Sequence, residues 1–150
     1  MALVSKIGVY IFNILTQPVT DYGETKPDWD IVVIYSTRSL KEQFVFLIGR
    51  FYAAKNDGAK YDESKLKVMQ SWGSASSKGV YYEVCLRHGI SPLNVKEAKA
   101  KYGNSAILFS RMCGDLLKSI KEFHKMYDSI LIDEAQDFDK NYLQLFMMPQ

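Results

Sequence analysis

Short apolar runs alternate along this chain with segments whose apolar residues recur at helical spacing. Three of the runs predict strands, at residues 31–34, 66–69 and 129–132. The first consists of four consecutive β-branched residues, which is typical of a strand buried in a parallel sheet. Each of the outer two runs is followed closely by a helix-start signal. We therefore expect an α/β domain built on a parallel sheet.

Helical spacing predicts the remaining elements. Apolar residues at 3, 7, 10 or 11, and 14 predict a first helix that is buried on more than one side. Ser39-Leu-Lys-Glu42 matches a capping box at the start of a second helix, whose apolar face runs from Leu40 to Phe51. Further helices are predicted at 80–87, from Ser91-Pro92 onward, along 107–123 and at 139–146. We expect a flexible loop at 73–79. Residues 74–126, which begin inside this loop, would form a mostly helical insert before the last strand.

The composition indicates one ordinary globular domain. The chain has 150 residues, 47% of them apolar and 24% charged, and its net charge of +2 excludes a polybasic arm or an acidic tail. Residues 96–125 carry seven basic and three acidic side chains, which indicates either a solvated helical face or a face that contacts phosphates.

The cysteines and the apolar stretches indicate an intracellular, cytoplasmic protein. Cys85 and Cys113 are too few for a disulfide framework, and we interpret them as buried thiols. With His88 and His124 they make a poor metal-ligand set. No apolar stretch reaches the roughly 20 residues of a membrane span, and no signal peptide is recognisable, so we expect no membrane partner.

Two adjacent carboxylates, Asp133 and Glu134, come directly after the third predicted strand. Like charges at a strand end with little water are costly unless something compensates them. Ligands of open α/β sheets bind beyond the carboxyl ends of the strands. We therefore expect Asp133 to hold Mg²⁺ and Glu134 to orient or deprotonate an attacking water. The alternative is that both residues merely cap the following helix.

Here the sequence resembles a known family. Leu131-Ile-Asp-Glu-Ala-Gln-Asp137 resembles motif II, the Walker B segment, of superfamily 1 helicases of the UvrD/Rep type. Residues 31–40 resemble motif Ia of that family, and residues 68–73 are similar to a segment between the two motifs. The order and approximate spacing agree. The resemblance implies a three-layer, P-loop-NTPase-like (RecA-like) domain. This chain would span that domain from just after Walker A through motif II.

The resemblance also implies roles for single residues. Asp133 would hold Mg²⁺, mostly through water, and Glu134 would be the catalytic base for ATP hydrolysis. Gln136 would be a second catalytic residue, which senses the γ-phosphate and couples it to DNA.

The resemblance implies single-stranded nucleic acid as the partner, DNA in preference to RNA, contacted by Thr37, Arg38, Ser71 and Trp72. A solvated loop at Thr37 and Arg38 and a core position for Trp72 are the alternatives. Tyr35 fits either a stacking face or the core.

The glycine-rich phosphate loop of that family is missing. None of the nine glycines begins Gly-x-x-x-x-Gly-Lys-Ser/Thr, and in the segment Gly73–Gly79 the lysine, Lys78, precedes the second glycine. We therefore expect a partial helicase domain, truncated at both ends, that hydrolyses ATP poorly or not at all by itself. It would need the Walker A segment and the second RecA-like domain as partners. The alternatives are a non-catalytic module that binds nucleic acid or a partner, and a gene fragment with no independent role.

Overall fold

A parallel sheet organises the chain. The computed structural model describes residues 30–37 and 40–147. Its three strands are β1 (Ile31–Tyr35), β2 (Leu66–Gln70) and β3 (Ser129–Ile132), in the order β2-β1-β3. Both neighbours run parallel to β1, with Ile31 opposite Leu66 on one side and opposite Ser129 on the other. The predicted α/β class, the three strands and their parallel direction are confirmed.

Five α-helices accompany these strands within the described residues. They are α1 (Lys41–Lys55), α2 (Val80–Arg87), α3 (Val95–Tyr102), α4 (Leu108–Ser119) and α5 (Lys140–Met147), with a turn of 3-10 helix at Ala135–Asp137. Helices α2, α3 and α4 lie between β2 and β3, in the segment predicted to be a mostly helical insert. The first predicted helix, at residues 3–14, falls outside the described residues.

Two predicted helix limits are wrong. The helix predicted from Ser91-Pro92 begins at Val95, because Asn94 and Glu97 form a capping box in which each side chain accepts the other's backbone N–H, at 3.0 and 2.9 Å. The helix predicted along 107–123 ends at Ser119. The N-cap of α1 is Leu40, whose side chain makes no cap hydrogen bond; Ser39, where the predicted capping box begins, lies outside the described residues.

Strand β1 lies at the centre of two apolar clusters. All five of its residues are buried, none more than 3% exposed. Val32 and Ile34 face the cluster formed with the insert helices and α5. The alternate residues of β1 face the other cluster, where Phe44 and Ile48 of α1 pack against the sheet. Helices thus cover both faces of the sheet, which explains the continuous apolar run at 31–34.

Candidate functional site

Asp133 lies where β3 ends, at the carboxyl edge of the sheet. Its backbone N–H donates to the carbonyl of Ile34 at 2.9 Å, so the ladder between β1 and β3 continues to this residue. The side chain is only 7% exposed. Asp133 thus lies at the carboxyl edge of the sheet, beside the end of β1.

The carboxyl group of Asp133 has no compensating partner within residues 30–37 and 40–147. Among the described residues nothing donates a hydrogen bond to it and no cation pairs with it. Burial raises the pKa of Asp133, and the carboxylates of Glu134 and Asp137 raise it further. A positive charge placed here would therefore stabilise the folded protein. The sequence analysis assigned no role to Asp137, although it is the last residue of the segment that resembles motif II.

Glu134 turns the chain sharply away from the sheet. It has φ 51° and ψ 50°, the left-handed conformation, which costs a residue with a side chain about 1–2 kcal/mol. The turn is closed by the N–H of Asp137, which donates to the Glu134 carbonyl at 2.8 Å. A strained backbone held in place at a cluster of carboxylates is typical of functional sites.

The side chains of Glu134 and Gln136 point to solvent together. The Gln136 amide Nε2 donates to Glu134 Oε2, and both residues are exposed. No side chain caps the 3-10 turn that follows Glu134. At the start of α5 it is Asp139 that accepts the N–H of Asn141, at 2.7 Å. The alternative in which Asp133 and Glu134 serve as helix caps is therefore wrong.

The loop after β1 opens at the same edge of the sheet. Thr37 is exposed, and its hydroxyl lies 3.3 Å from that of Ser36. The Gln70 amide donates to the Ser36 carbonyl at 3.4 Å, which connects this loop to the end of β2. Arg38 lies outside the described residues. Tyr35 is 3% exposed and packs against Phe44, so it belongs to the core and presents no stacking face.

The loop after β2 brings Ser71 and Trp72 to this edge. Ser71 is 7% exposed, and its N–H donates to the Tyr35 carbonyl at 3.0 Å. The Trp72 indole N–H donates to the Leu93 carbonyl at 3.1 Å, and its ring stacks on Phe109 with centroids 5.3 Å apart. Ser71 therefore offers little surface, and most contacts of Trp72 are with the insert. Their predicted contacts with nucleic acid stay predictions.

The loop between Gly73 and Gly79 is closed tightly. Gly73 has φ +85° and forms an antiparallel bridge with Lys78. A Cβ on Gly79 would lie 2.4 Å from the Gly73 nitrogen, so only glycine fits this approach. N–H groups in the first turn of α2 already have hydrogen-bond acceptors, since Tyr81 donates its N–H to the Ser71 carbonyl. The loop thus has a structural reason for its glycines and presents no phosphate cradle.

The two cysteines are free and buried, as predicted. Burial raises the pKa of the Cys85 thiol to about 11 and that of Cys113 as well, so neither is a ready nucleophile. Within the described chain no group of three or more His, Cys, Asp or Glu side chains forms a metal site by itself.

Comparisons with protein-family models, with curated proteins and with solved structures give no match. In the part of the chain that the structure describes, no helix has the length and apolar character needed to cross a bilayer.

Proposed function

We propose that this chain is part of the ATP-binding domain of a UvrD/Rep-type superfamily 1 helicase or translocase, with a RecA-like, three-layer arrangement around its parallel sheet. The proposal is supported above all by Asp133, a buried residue at the carboxyl edge of that sheet whose carboxylate has no partner in the described part of the chain. Its sequence context, Asp-Glu-Ala-Gln-Asp, resembles motif II.

The donor set at this edge fits Mg²⁺ held jointly with a nucleotide. Mg²⁺ is usually bound by one or two protein carboxylates, with phosphate oxygens and waters completing the shell. Asp133 supplies one such carboxylate, and the described residues offer no all-protein cage. When bound, the cation offsets negative charge on the phosphates. Glu134, whose exposed carboxylate is held by the Gln136 amide, is suited to orient a water and accept its proton.

The same edge is suited to contact a nucleic-acid strand. The exposed Thr37 hydroxyl, the adjacent Arg38, and Ser71 and Trp72 on the next loop follow β1 and β2 as they end. Hydroxyl and guanidinium contacts with phosphates fix position without reading bases. Binding by this chain should therefore be weak, sensitive to salt and indifferent to sequence.

Thermal unfolding with and without Mg²⁺ tests the cation site. Because a ligand that binds only the folded state raises its stability, we expect Mg²⁺ to raise the Tm of the wild type and to leave Asp133→Asn unchanged. Glu122→Gln, which removes an exposed carboxylate from another segment, is the control and should respond like the wild type. An equal response of all three proteins would contradict the site.

Fluorescence anisotropy with a labelled single-stranded oligonucleotide at two salt concentrations tests the nucleic-acid face. We expect salt-sensitive binding that Arg38→Ala weakens. Arg50→Ala is the matched control, because the Arg50 guanidinium lies on α1 over the Phe46 ring, 5.7 Å from its centroid. Binding that is absent even at low salt would contradict the proposal and leave a fragment without independent role as the better explanation.

A second candidate is a non-catalytic module that binds nucleic acid or a partner. It is favoured by the absence of Gly-x-x-x-x-Gly-Lys-Ser/Thr from these 150 residues. An in-frame copy of that motif directly upstream in the gene would decide for the helicase. Steady-state ATP turnover by the purified chain, lost in Glu134→Gln, would show that the missing loop is not needed.

A further inference from the structure

The outer edge of β2 carries peptide groups that pair with no other strand in the described part of the chain. Ile31 donates its N–H to the Lys65 carbonyl at 2.7 Å, and Ser71 donates to the Tyr35 carbonyl at 3.0 Å. Since backbone groups along a strand alternate in direction, every second residue from 65 to 71 faces β1 and those between face outward. Val68 is therefore turned outward, and no described residue bonds to its N–H. Such an edge is a template for a further strand.

A cleft of about 370 Å³ runs along this edge. Lys41, Lys67 and Lys78 line it, and none of the three has an ion-pair partner among the described residues. Of the two glutamates that line the cleft, Glu83 already accepts the Tyr127 hydroxyl at 2.7 Å. Glu63 and Glu83 both keep their negative charges, so three lysines face two carboxylates and the cleft carries a net charge of +1.

The two sides of the cleft differ in chemistry. On the α1 side it is lined by Val45 and Tyr61, with Lys41 at the start of α1, and Val68 packs with the cluster on that face. On the opposite side Lys67 extends over the Tyr127 ring, with its Nζ 5.6 Å from the centroid, and the exposed Lys78 lies beyond β2. Because side chains of a strand alternate between faces, an added strand would point every second residue toward apolar surface and the others toward lysines.

We propose that the β2 edge binds an extended segment of a partner protein in which apolar and acidic residues alternate. Main-chain hydrogen bonds to Val68 supply sequence-independent attraction, and the two sides of the cleft select the side chains. A second copy of this chain is a poor occupant. Its own β2 would bring another Lys67 to the lysine side, where like charges repel.

The test uses a fluorescein-labelled peptide of alternating valine and glutamate, with a matched valine–lysine peptide as control. We expect the purified 150-residue protein to bind the acidic peptide and to bind the basic one at least about tenfold more weakly. Val68→Pro removes an outward N–H, which an edge strand tolerates, together with the valine side chain that packs on the α1 face. It should weaken binding about tenfold, the loss expected for one hydrogen bond, while circular dichroism shows an unchanged fold.

Charge reversal gives a second measurement that does not depend on how β2 tolerates proline. Lys78→Glu, on an exposed loop, should weaken the acidic peptide and strengthen the basic one. Lys99→Glu, an equally exposed lysine on α3, is the control and should do neither. The proposal is overturned by absent binding at low salt, by unchanged binding to both Val68→Pro and Lys78→Glu, or by sedimentation showing that the free edges pair two copies of the chain.

Discussion

We expect a Tyr→Phe substitution to change the stability of the protein in opposite directions at two buried tyrosines. Tyr127 is 4% exposed, and its hydroxyl donates to Glu83 Oε2 at 2.7 Å. Tyr142 is fully buried, and its hydroxyl has no hydrogen-bond partner among the described residues. Burial raises the pKa of both phenols, so each carries a neutral hydroxyl at physiological pH. Replacement by phenylalanine therefore removes one satisfied and one unsatisfied hydroxyl.

We expect Tyr142→Phe to stabilise the protein. A buried polar group without a partner costs about 1–3 kcal/mol, while the ring keeps its contacts with Phe138, Phe109 and Phe146, at centroid distances of 4.7, 5.2 and 5.2 Å. The oxygen's few dispersion contacts are lost, each worth only about 0.1–0.2 kcal/mol. The net gain is about 1–2 kcal/mol, or about 2–4 °C in Tm for each kcal/mol.

Tyr127→Phe should destabilise the protein. It deletes a hydrogen bond to a charged acceptor, worth about 1.5–3 kcal/mol, and leaves the Glu83 carboxylate without its donor. Urea unfolding followed by circular dichroism measures both variants against the wild type, and an unchanged slope against urea concentration would show that the denatured state is not altered. A loss of stability in Tyr142→Phe, or the same sign in both variants, would refute the reasoning.

Four further substitutions test the site, the loop after β2 and helix α1. Since the raised pKa of Asp133 makes the folded state hold its proton more tightly than the unfolded state, this group costs stability as pH rises through its folded pKa. Asp133→Asn should therefore be more stable than the wild type at neutral pH and equal to it in acid, as unfolding free energies against pH would show. Glu134→Gly should raise the unfolding free energy by about 1 kcal/mol, because glycine adopts the left-handed turn without strain; an unchanged or lower Tm would contradict this. Gly79→Ala, which would place a Cβ 2.4 Å from the Gly73 nitrogen, should lower the free energy of unfolding by about 1–3 kcal/mol. Gly49→Ala, in helix α1, would place a Cβ 3.8 Å from the Tyr61 ring. It should raise the free energy of unfolding by about 0.5–1 kcal/mol, measured in the same urea series.

The strands and the placement of Asp133 could be predicted because each depends on local sequence. Four β-branched residues in a row at 31–34 suit a strand covered on both faces, and a residue that directly follows a parallel strand must lie at its carboxyl end. No distant contact needs to be known for either prediction.

The failures have equally specific causes. Phe123 keeps the helical spacing of α4 although the chain has left the helix; it packs from a coil against the His88 ring, with centroids 5.0 Å apart. Helical spacing of apolar residues reflects burial, and a partly buried coil residue can match that spacing by chance. At α3 the Asn94-x-x-Glu97 pattern was present in the sequence, but Ser91-Pro92, three residues earlier, matched another start signal.

The left-handed turn at Glu134 and the bond from Trp72 to Leu93 could not be predicted. Glutamate has no preference for positive φ, so the turn is imposed by the surrounding structure. The Trp72 bond joins residues 21 positions apart, and nothing in either local sequence announces it. The Tyr127–Glu83 pair, separated by 44 positions, escapes prediction for the same reason.

The position of β1 between its neighbours has a consequence for how the chain is made. Asp30 and Asp128, which exchange hydrogen bonds at the start of the β1–β3 pair, are 98 positions apart. During synthesis Ile31–Tyr35 therefore leaves the ribosome long before the strand that completes its pairing. Closing so long a loop is slow, and an uncharged run of β-branched residues with an open edge is prone to aggregate. A nascent chain that stalls before residue 129 would expose this edge, and it would be a natural client for a chaperone.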